Sequence, residues 1–572
     1  MIARWLKPVA LASVLAAPMA HAADVHEFVP AGTVFYNGMT EALPKTRLAD
    51  AYPPSWQDLT SPTLDDDPAK LADEGGPAAG MLVALLQDYY ASWAEDDHPL
   101  TRFGIAQEGE YAVYTVGALP VVRASIDDPS ALQDRLAHAE QAAGIKPTQR
   151  KIHGTAVRRY GFSLSESGQD LNLIAAIHDG QAVLTLTGSA IPEDAVATAL
   201  GADRPDSSLA ESGRPGKLSK RHDLIDGSVA YLDHEAIVAG ITDPEANRFG
   251  AMIRPLMETW YGAEQPVPFD KLRQQACHQE ASEMATSWPY SVSGFSDIAP
   301  KAQQVAISNL VRVANDDVSG QLSRLRGHIP KAVDQRAILE LGVGLHIQEL
   351  VPALRQLAED FKQDERQCQA MRSAQKAVHS QSIGQLSIIA QTLGDTRGIS
   401  ASLLALDQAN EATEGEAQGS GAASPRAVLE VANAKPAALW RFTKSALGLS
   451  NDVADPEPGG EPVAIPGVGG LGLDWQVALR NNALIMLLGD TPLPKAAGEE
   501  GLEANGVLRV REDIGALAEA DEAYSQSLGQ GVPGLPSIAA PASVEAVNAY
   551  LDMGLDFTDD GIGLDMVISP AN

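Results

Sequence analysis

Alternating apolar and polar positions run through much of the chain and predict short strands that each turn one face toward a core. In the first half, such strands are predicted at residues 29–36, 111–116, 121–126, 156–162, 171–177, 182–187 and 228–232. Two of them meet at Asp179-Gly180, a dipeptide typical of a tight hairpin turn. This half of the sequence therefore predicts a mainly antiparallel sheet.

Helical spacing appears in fewer places. Residues 60–78 are rich in Asp, Pro, Gly and Ala and predict a loop, whereas apolar residues recur at helical intervals over 81–93. The clearest helix follows Asp128, which can cap it, with Pro129 in the first turn and Gly144 at the end.

Two distant parts of the chain share a similar sequence pattern. Residues 121–132 recur in outline as residues 428–439, where a short apolar run meets a proline that is followed by a leucine. A second match follows in the same order, and the offset changes only from 307 to 302. This second match pairs Leu171, Leu173, Ala175 and Ile177 with Leu473, Trp475, Val477 and Leu479. The pattern predicts a duplicated module.

The second half predicts the same mixture of elements. A helix is expected at 270–287, strands at 305–313 and 338–347, a long polar helix at 348–375, and two closing strands at 550–557 and 563–568. Two insertions with loop composition cover 411–427 and 452–472. The predicted class is α+β, with two related modules of mainly antiparallel sheet and packed helices. The expected segments are a signal peptide (1–22), a first module (23–250), a connector that completes it (251–347) and a second module (348–572).

The N-terminus predicts export. Arg4 and Lys7 precede the apolar run 8–20, and Ala20-His21-Ala22 supplies small residues at a cleavage site. An uncleaved membrane anchor is the alternative, although the run is shorter than the roughly 20 residues of a spanning helix. We expect a soluble periplasmic protein with no transmembrane span in the mature chain.

Charge and cysteine content narrow the class of protein. The net charge of −33 over 572 residues disfavours nucleic acid and anionic lipid surfaces as partners. An exported chain with two cysteines, Cys277 and Cys368, predicts one disulfide, with two buried thiols as the alternative.

Three local clusters are candidate sites. The basic group Arg214, Lys217, Lys220 and Arg221, next to His222, could receive an anion or a partner, although such a patch is more often a solvated loop. The metal-type ligands His222, Asp223, Asp226, His234 and Glu235 lack a spacing that would bring them together. The run Asp556 to Gly561 resembles the start of a calcium loop, but Val567 stands where the bidentate acid is needed, and a β-turn explains the run as well.

Catalytic motifs do not appear in the sequence. It has no Gly-x-Ser-x-Gly, phosphate-loop or His-Glu-x-x-His pattern, and Cys277 and His278 are adjacent and would point to different sides of a helix. We expect neither a cofactor nor a metal. Trp440 and Trp475 are expected to pack in a core.

The opening at residues 29–36 resembles that of certain uncharacterised bacterial envelope proteins, which begin their exported region with a Leu/Val-Pro-Ala-Asp-Thr strand and carry repeated α+β modules. This chain has Gly32 where the acid is usual. The resemblance implies an envelope location and a modular build, and no catalytic residue.

The sequence favours a non-catalytic binding protein of the cell envelope that takes a partner protein or an apolar small ligand. A hydrolase assembled from distant residues is the alternative. A cleft with a shifted histidine or carboxylate pair would favour the hydrolase, whereas an exposed apolar face would favour binding.

Overall fold

The computed structural model describes most of the chain, apart from the N-terminal segment and several internal stretches. The described residues are 24–39, 67–94, 99–106, 109–163, 171–261, 270–331, 333, 336–362, 366–380, 390, 393–407, 424–449, 453–465, 474–495, 497–498, 501–517, 519–520 and 549–571. The predicted signal peptide lies outside them, as do residues 411–423 of the first predicted insertion and residues 452 and 466–472 of the second.

The chain forms two compact units. The first comprises Met1–Pro53, Thr60–Ala314 and Arg366–Ala374, and the second Pro54–Leu59, Asn315–Glu365 and Gln375–Asn572. The strand that the sequence grouped with the connector, at residues 338–347, lies in the second unit. It pairs there with two strands of that unit, which is why the boundary falls earlier than residue 348.

The first unit contains an antiparallel sheet in the order β4-β5-β6-β7-β3-β2-β1-β8-β9-β10. Its strands are Phe35–Met39 (β1), Tyr111–Val116 (β2), Leu119–Ser125 (β3), Thr148–Ile152 (β4), Thr155–Gly161 (β5), Leu171–His178 (β6), Gln181–Gly188 (β7), Ser228–Asp233 (β8), Tyr290–Ala299 (β9) and Gln304–Arg312 (β10).

The second unit contains an antiparallel sheet in the order β14-β15-β16-β13-β12-β11-β17-β18-β19. Its strands are Leu339–Gly344 (β11), Thr396–Asp407 (β12), Ser424–Asn433 (β13), Val463–Ile465 (β14), Trp475–Leu479 (β15), Ala483–Leu488 (β16), Leu508–Asp513 (β17), Tyr550–Thr558 (β18) and Gly561–Ser569 (β19). The mixed α+β class with antiparallel sheet agrees with the sequence.

Helices connect these strands. They are Pro68–Gly75 (α1), Pro77–Ala94 (α2), Pro99–Arg102 (α3), Pro129–Ala142 (α4), Glu193–Leu200 (α5), Leu209–Ser212 (α6), Arg214–Arg221 (α7), His234–Thr242 (α8), Arg248–Tyr261 (α9), Gln275–Ser287 (α10), Asp316–Leu325 (α11), Ile347–Lys362 (α12), Gln369–Ser380 (α13) and Pro436–Ala446 (α14). Three short 3₁₀ segments lie at Val25–Glu27, Asp270–Arg273 and Pro300–Ala302. Among the described residues, no helix is long and apolar enough to cross a membrane.

Local chemistry explains the best-predicted elements. The Asp128 carboxylate accepts hydrogen bonds from the Ser130 and Ala131 N–H groups at the start of α4, as its capping role requires. Asp179 and Gly180 both have positive φ, at 48° and 73°, and therefore join β6 to β7 in a tight turn.

Three elements differ from the sequence predictions. The segment 60–78 was expected to be a loop, but its described part contains α1, which begins at Pro68 because the Asp67 carboxylate caps it. The first strand begins at Phe35, later than expected, because residues 30–33 form a turn in which the Thr33 N–H donates a hydrogen bond to the Pro30 carbonyl. The long helix at 348–375 is two helices, α12 and α13, with Cys368 just before the second.

The first sheet is covered on both faces. On one face, α2 and α4 contribute Met81, Leu136 and Ala139 to a core with Leu173 of β6. On the other, α5 contributes Val196 and Leu200 to a larger core that includes Tyr114.

Cys277 and Cys368 form the disulfide that the sequence predicts, with an S–S distance of 2.08 Å. Both residues are fully buried. The Glu280 carboxylate accepts a hydrogen bond from the N–H of Gln367 at 2.5 Å and holds the segment next to the disulfide.

Candidate functional site

The central strands of the second sheet carry a network of ion pairs on one face. Glu340 of β11 lies opposite Arg511 of β17, and Arg511 lies opposite Asp552 of β18. Arg511 donates to Glu340 at 3.1 Å, and Arg509 donates two hydrogen bonds to Asp552 at 2.9 and 2.6 Å. Burial acts to raise the pKa of Asp552, but hydrogen bonds and charge from both arginines outweigh it and hold that pKa below its usual value.

The opposite face of the same strands is apolar. One cross-strand row contains a single apolar side chain from each of five strands, namely Ile399, Val343, Leu508, Leu555 and Leu564. The next row contains Ala401, Leu341, Val510, Met553 and Met566. These two rows are called the apolar face below.

The apolar face is open to solvent. Leu341 is 47% exposed, Val343 and Leu508 are each 40% exposed, and Ile399 and Leu564 are each 39% exposed. Since neighbouring strands lie about 4.8 Å apart, the five strands give the face a width of roughly 19 Å. Exposed apolar residues are usually scattered singly, so a contiguous set of this extent indicates an interaction site.

A helix limits the apolar face on one side. The helix α14 covers β13, β15 and β16, where Trp440 is 1% exposed in a core with Val477 and Leu484. The Trp440 indole N–H donates to Asp455 at 3.0 Å. Next to the covered region, a groove of about 300 Å³ opens between Leu341, Leu403, Leu429 and Trp475. Trp440 packs in a core as expected, and Trp475, which packs against the same core, also lines this groove.

The first sheet differs from the second at the corresponding strands. The positions that match Leu341, Met553 and Met566 by strand order and pairing are Asn37, Ser293 and Asn309. Its opposite face carries Tyr36 and Tyr231, which are buried and whose rings stack at 5.6 Å. In the other row, Ile399, Val343 and Leu508 match Tyr111, Met39 and Ser228, which are buried. The matching positions of the first unit are thus partly polar and partly buried, whereas those of the second form an exposed apolar face.

One carboxylate lies on the apolar side. Glu512 pairs with Leu339 of β11 and Leu551 of β18. Burial raises its pKa, and no charged group contributes to that shift. Its environment therefore favours the neutral acid.

The basic group predicted on α7 is used in part for internal structure. Arg214 donates to Asp233 at 2.6 Å and stacks on the Tyr231 ring. Lys217 donates to the Ser212 carbonyl at 2.9 Å. Lys220 and Arg221 are exposed in the last turn of α7, where the helix dipole favours cations.

The metal-type cluster is not assembled. The ring of His222 lies 3.2 Å from the Tyr290 hydroxyl, and Asp226 accepts from Ser219. Within the described part of the chain, no three His, Cys, Asp or Glu side chains are placed to hold a metal ion. In the run that resembles a calcium loop, Asp556 pairs with Arg326 at 2.8 Å, and Thr558 bonds with Gly561 across the β18–β19 turn.

One serine and one histidine are arranged as in a catalytic dyad. The Ser291 hydroxyl lies 3.0 Å from Nε2 of His234, and Nδ1 of His234 lies 2.9 Å from the Trp288 carbonyl. Acyl transfer also needs N–H donors for an oxyanion. The N–H groups in the first turn of α8 are already used, two by the Pro289 carbonyl and one by Asp233, so they do not supply such donors.

Sequence reasoning missed a second basic region. Residues 141–165 contain five Lys and Arg residues and no acid, a clear signal in so acidic a chain. They include Arg150, Lys151, Arg158 and Arg159, which lie on the β4–β5 hairpin.

Comparisons with protein-family models, with curated proteins and with solved structures gave no match. The functional conclusion therefore rests on the residues of this chain.

The exposure of the apolar face predicts how truncations alter stability. Leu487→Ala, at a fully buried position on the opposite face of the second sheet, should lower the free energy of unfolding by about 2–5 kcal/mol. Leu508→Ala should cost only about 1 kcal/mol or less, because Leu508 is half exposed. Urea unfolding measures both values. Equal losses would mean that the apolar face is covered in the free protein.

Proposed function

We propose that this chain is an exported, non-catalytic binding protein of the bacterial cell envelope, and that the apolar face of its second unit docks a partner protein. The observation that carries the proposal is the exposed row Ile399, Val343, Leu508, Leu555 and Leu564 across five strands.

The shape of the face favours a protein over a small molecule. Small ligands bind in concave pockets that bury most of their surface, whereas this exposed row runs about 19 Å across five strands and extends beyond the groove that Leu341 and Trp475 line. Covering the remaining exposed surface of five large apolar side chains would contribute roughly 3–6 kcal/mol. The net charge of −33 favours a partner with a basic rim.

Export is supported by the basic start, the apolar run and the Ala20-His21-Ala22 site in residues 1–22. The disulfide between Cys277 and Cys368 suits an oxidising compartment such as the periplasm. The proposed mature chain begins at Ala23.

We also propose that the two units arose by internal duplication, and the strand registers support this. In the first unit, Val121 of β3 pairs with Thr185 of β7. In the second, Val428 of β13 pairs with Leu487 of β16. These four residues stand at the offsets of 307 and 302 that the shared sequence pattern gave.

A matched helix cap gives further support. Asp233 ends β8 and accepts from the Ala236 N–H, and Asp513 ends β17 and accepts from the Ala516 N–H. The nine strands of the second sheet also follow the order of nine strands in the first, in which β4 is additional.

Intact-mass measurement of the protein from its own envelope fraction tests export. The expected mass is that of a chain starting at Ala23, two hydrogens below the mass of the reduced form. A chain that retains residues 1–22, or one whose mass does not change on reduction, would contradict the proposed processing or oxidation.

Site-specific photo-crosslinking in cells of the source organism tests the docking face. A benzophenone amino acid at Leu508 or Leu564 should give a discrete adduct with one partner protein. The adjacent exposed position Asp565 faces the opposite side of the sheet and should give none. Equal adducts from both sides would overturn the proposal, and an adduct of two copies of this chain would replace the partner with self-association.

The position of Glu512 predicts a pH dependence of docking. Because burial already raises its pKa, covering it further with a partner favours the protonated form, so docking should take up a proton and strengthen as the pH falls from 7 toward 5. Glu512→Gln should remove most of this dependence, as measured by the crosslink yield at each pH. An unchanged pH profile in the variant would show that Glu512 lies outside the interface.

A further inference from the structure

The β4–β5 hairpin of the first unit concentrates positive charge at one edge of a sheet. Arg150 and Lys151 on β4 are exposed, and within the described part of the chain neither has an acidic partner. Arg158 on β5 is held by Glu140 at 2.7 Å, and the Tyr160 hydroxyl donates to the same carboxylate. Arg150 and Lys151 can therefore pair with a ligand, whereas the ion pair with Glu140 fixes the position of Arg158.

These cations line a groove of about 640 Å³ between α4 and the strands β4, β5 and β6. The apolar part of its lining includes Leu136, Ala175 and Ile177, and its charged part consists of Arg150, Lys151 and Arg158. Among the described residues that line the groove there is no acid, although acids outnumber Lys and Arg by 75 to 42 in the chain. Its volume lies in the range of about 300–1,000 Å³ that is typical of small-ligand sites.

Charged side chains on an edge strand also prevent aggregation, a role that needs only the charges. Protection of an edge strand does not require an apolar groove beside the charges, and acidic side chains would also provide it. The combination of apolar surface and free cations matches a ligand with both properties.

We propose that this groove binds an anionic amphiphile, whose alkyl chain lies against Leu136, Ala175 and Ile177 and whose terminal carboxylate or phosphate meets Lys151 and Arg158, which lie on the same side of the sheet. This site is separate from the apolar face of the second unit, and the proposal does not depend on docking there.

Fluorescence titration of the full chain with 11-(dansylamino)undecanoic acid tests the proposal. The probe should bind saturably, and its methyl ester, which lacks the charge, should bind at least about tenfold more weakly. Competition with dodecanoate and with dodecyl phosphate identifies the preferred head group. If neither competitor displaces the probe, or if acid and ester bind alike, the proposal is wrong.

Variants locate the site. Lys151→Glu/Arg158→Glu should weaken binding by roughly tenfold or more through loss of charge pairing. Ala156→Trp, at an exposed position that lines the groove, should block the alkyl chain without changing the charge. The matched control Lys220→Glu/Arg221→Glu makes the same charge change on α7 and should leave the affinity unchanged.

Two outcomes would overturn the assignment. If the α7 control lost as much affinity for the probe as the hairpin variant, the binding would be general electrostatic attraction. If Leu508→Ser/Leu564→Ser lowered the affinity for the probe and the hairpin variant did not, the probe would bind on the apolar face of the second unit. Thermal unfolding of each variant shows whether it is folded.

Discussion

The ion pairs among Glu340, Arg511, Asp552 and Arg509 fix which side chains of the second sheet share a face. Successive side chains of a strand point to opposite faces, so a charged residue at one position commits its neighbours to the other side. Glu340 is the buried member of the network, and removing its partner Arg511 would leave that carboxylate buried and unpaired, at a cost of several kcal/mol. The Glu340–Arg511 pair therefore holds the register of β11 against β17. Leu341, Val343 and Leu508 are placed together by this constraint.

Two sheets with the same strand order can thus have different surfaces. In the first unit, Tyr36 and Tyr231 occupy the positions that Glu340 and Arg511 occupy in the second. The face that carries ion pairs in the second unit therefore carries aromatic rings in the first. Backbone pairing preserves the topology, because it depends on main-chain hydrogen bonds rather than on side-chain polarity. The side chains are then free to change function without altering the fold.

Local signals in the sequence predicted much of the secondary structure but little of the candidate site. Asp128 with Pro129, and Asp179 with Gly180, act through neighbours in the chain, so their helix and turn could be recognised directly. The apolar face combines strands as far apart as residues 339 and 569, and its exposure depends on what covers it, which alternation alone does not show. The alternation over 338–347 was recognised, although its apolar side was expected to meet a core. The β4–β5 charges were visible as an acid-free run and were overlooked.

The disulfide has a consequence for the covalent topology of the chain. Cys277 and Cys368 close a ring whose members include β11, a central strand of the second sheet, although both cysteines belong to the first unit. Neither unit is a single uninterrupted segment, so no single cut of the chain separates them. Oxidation thereby reduces the number of conformations that the unfolded β11 segment can adopt before it pairs with β12 and β17, because it is part of a closed ring. The redox state of the compartment is therefore part of what specifies the second sheet.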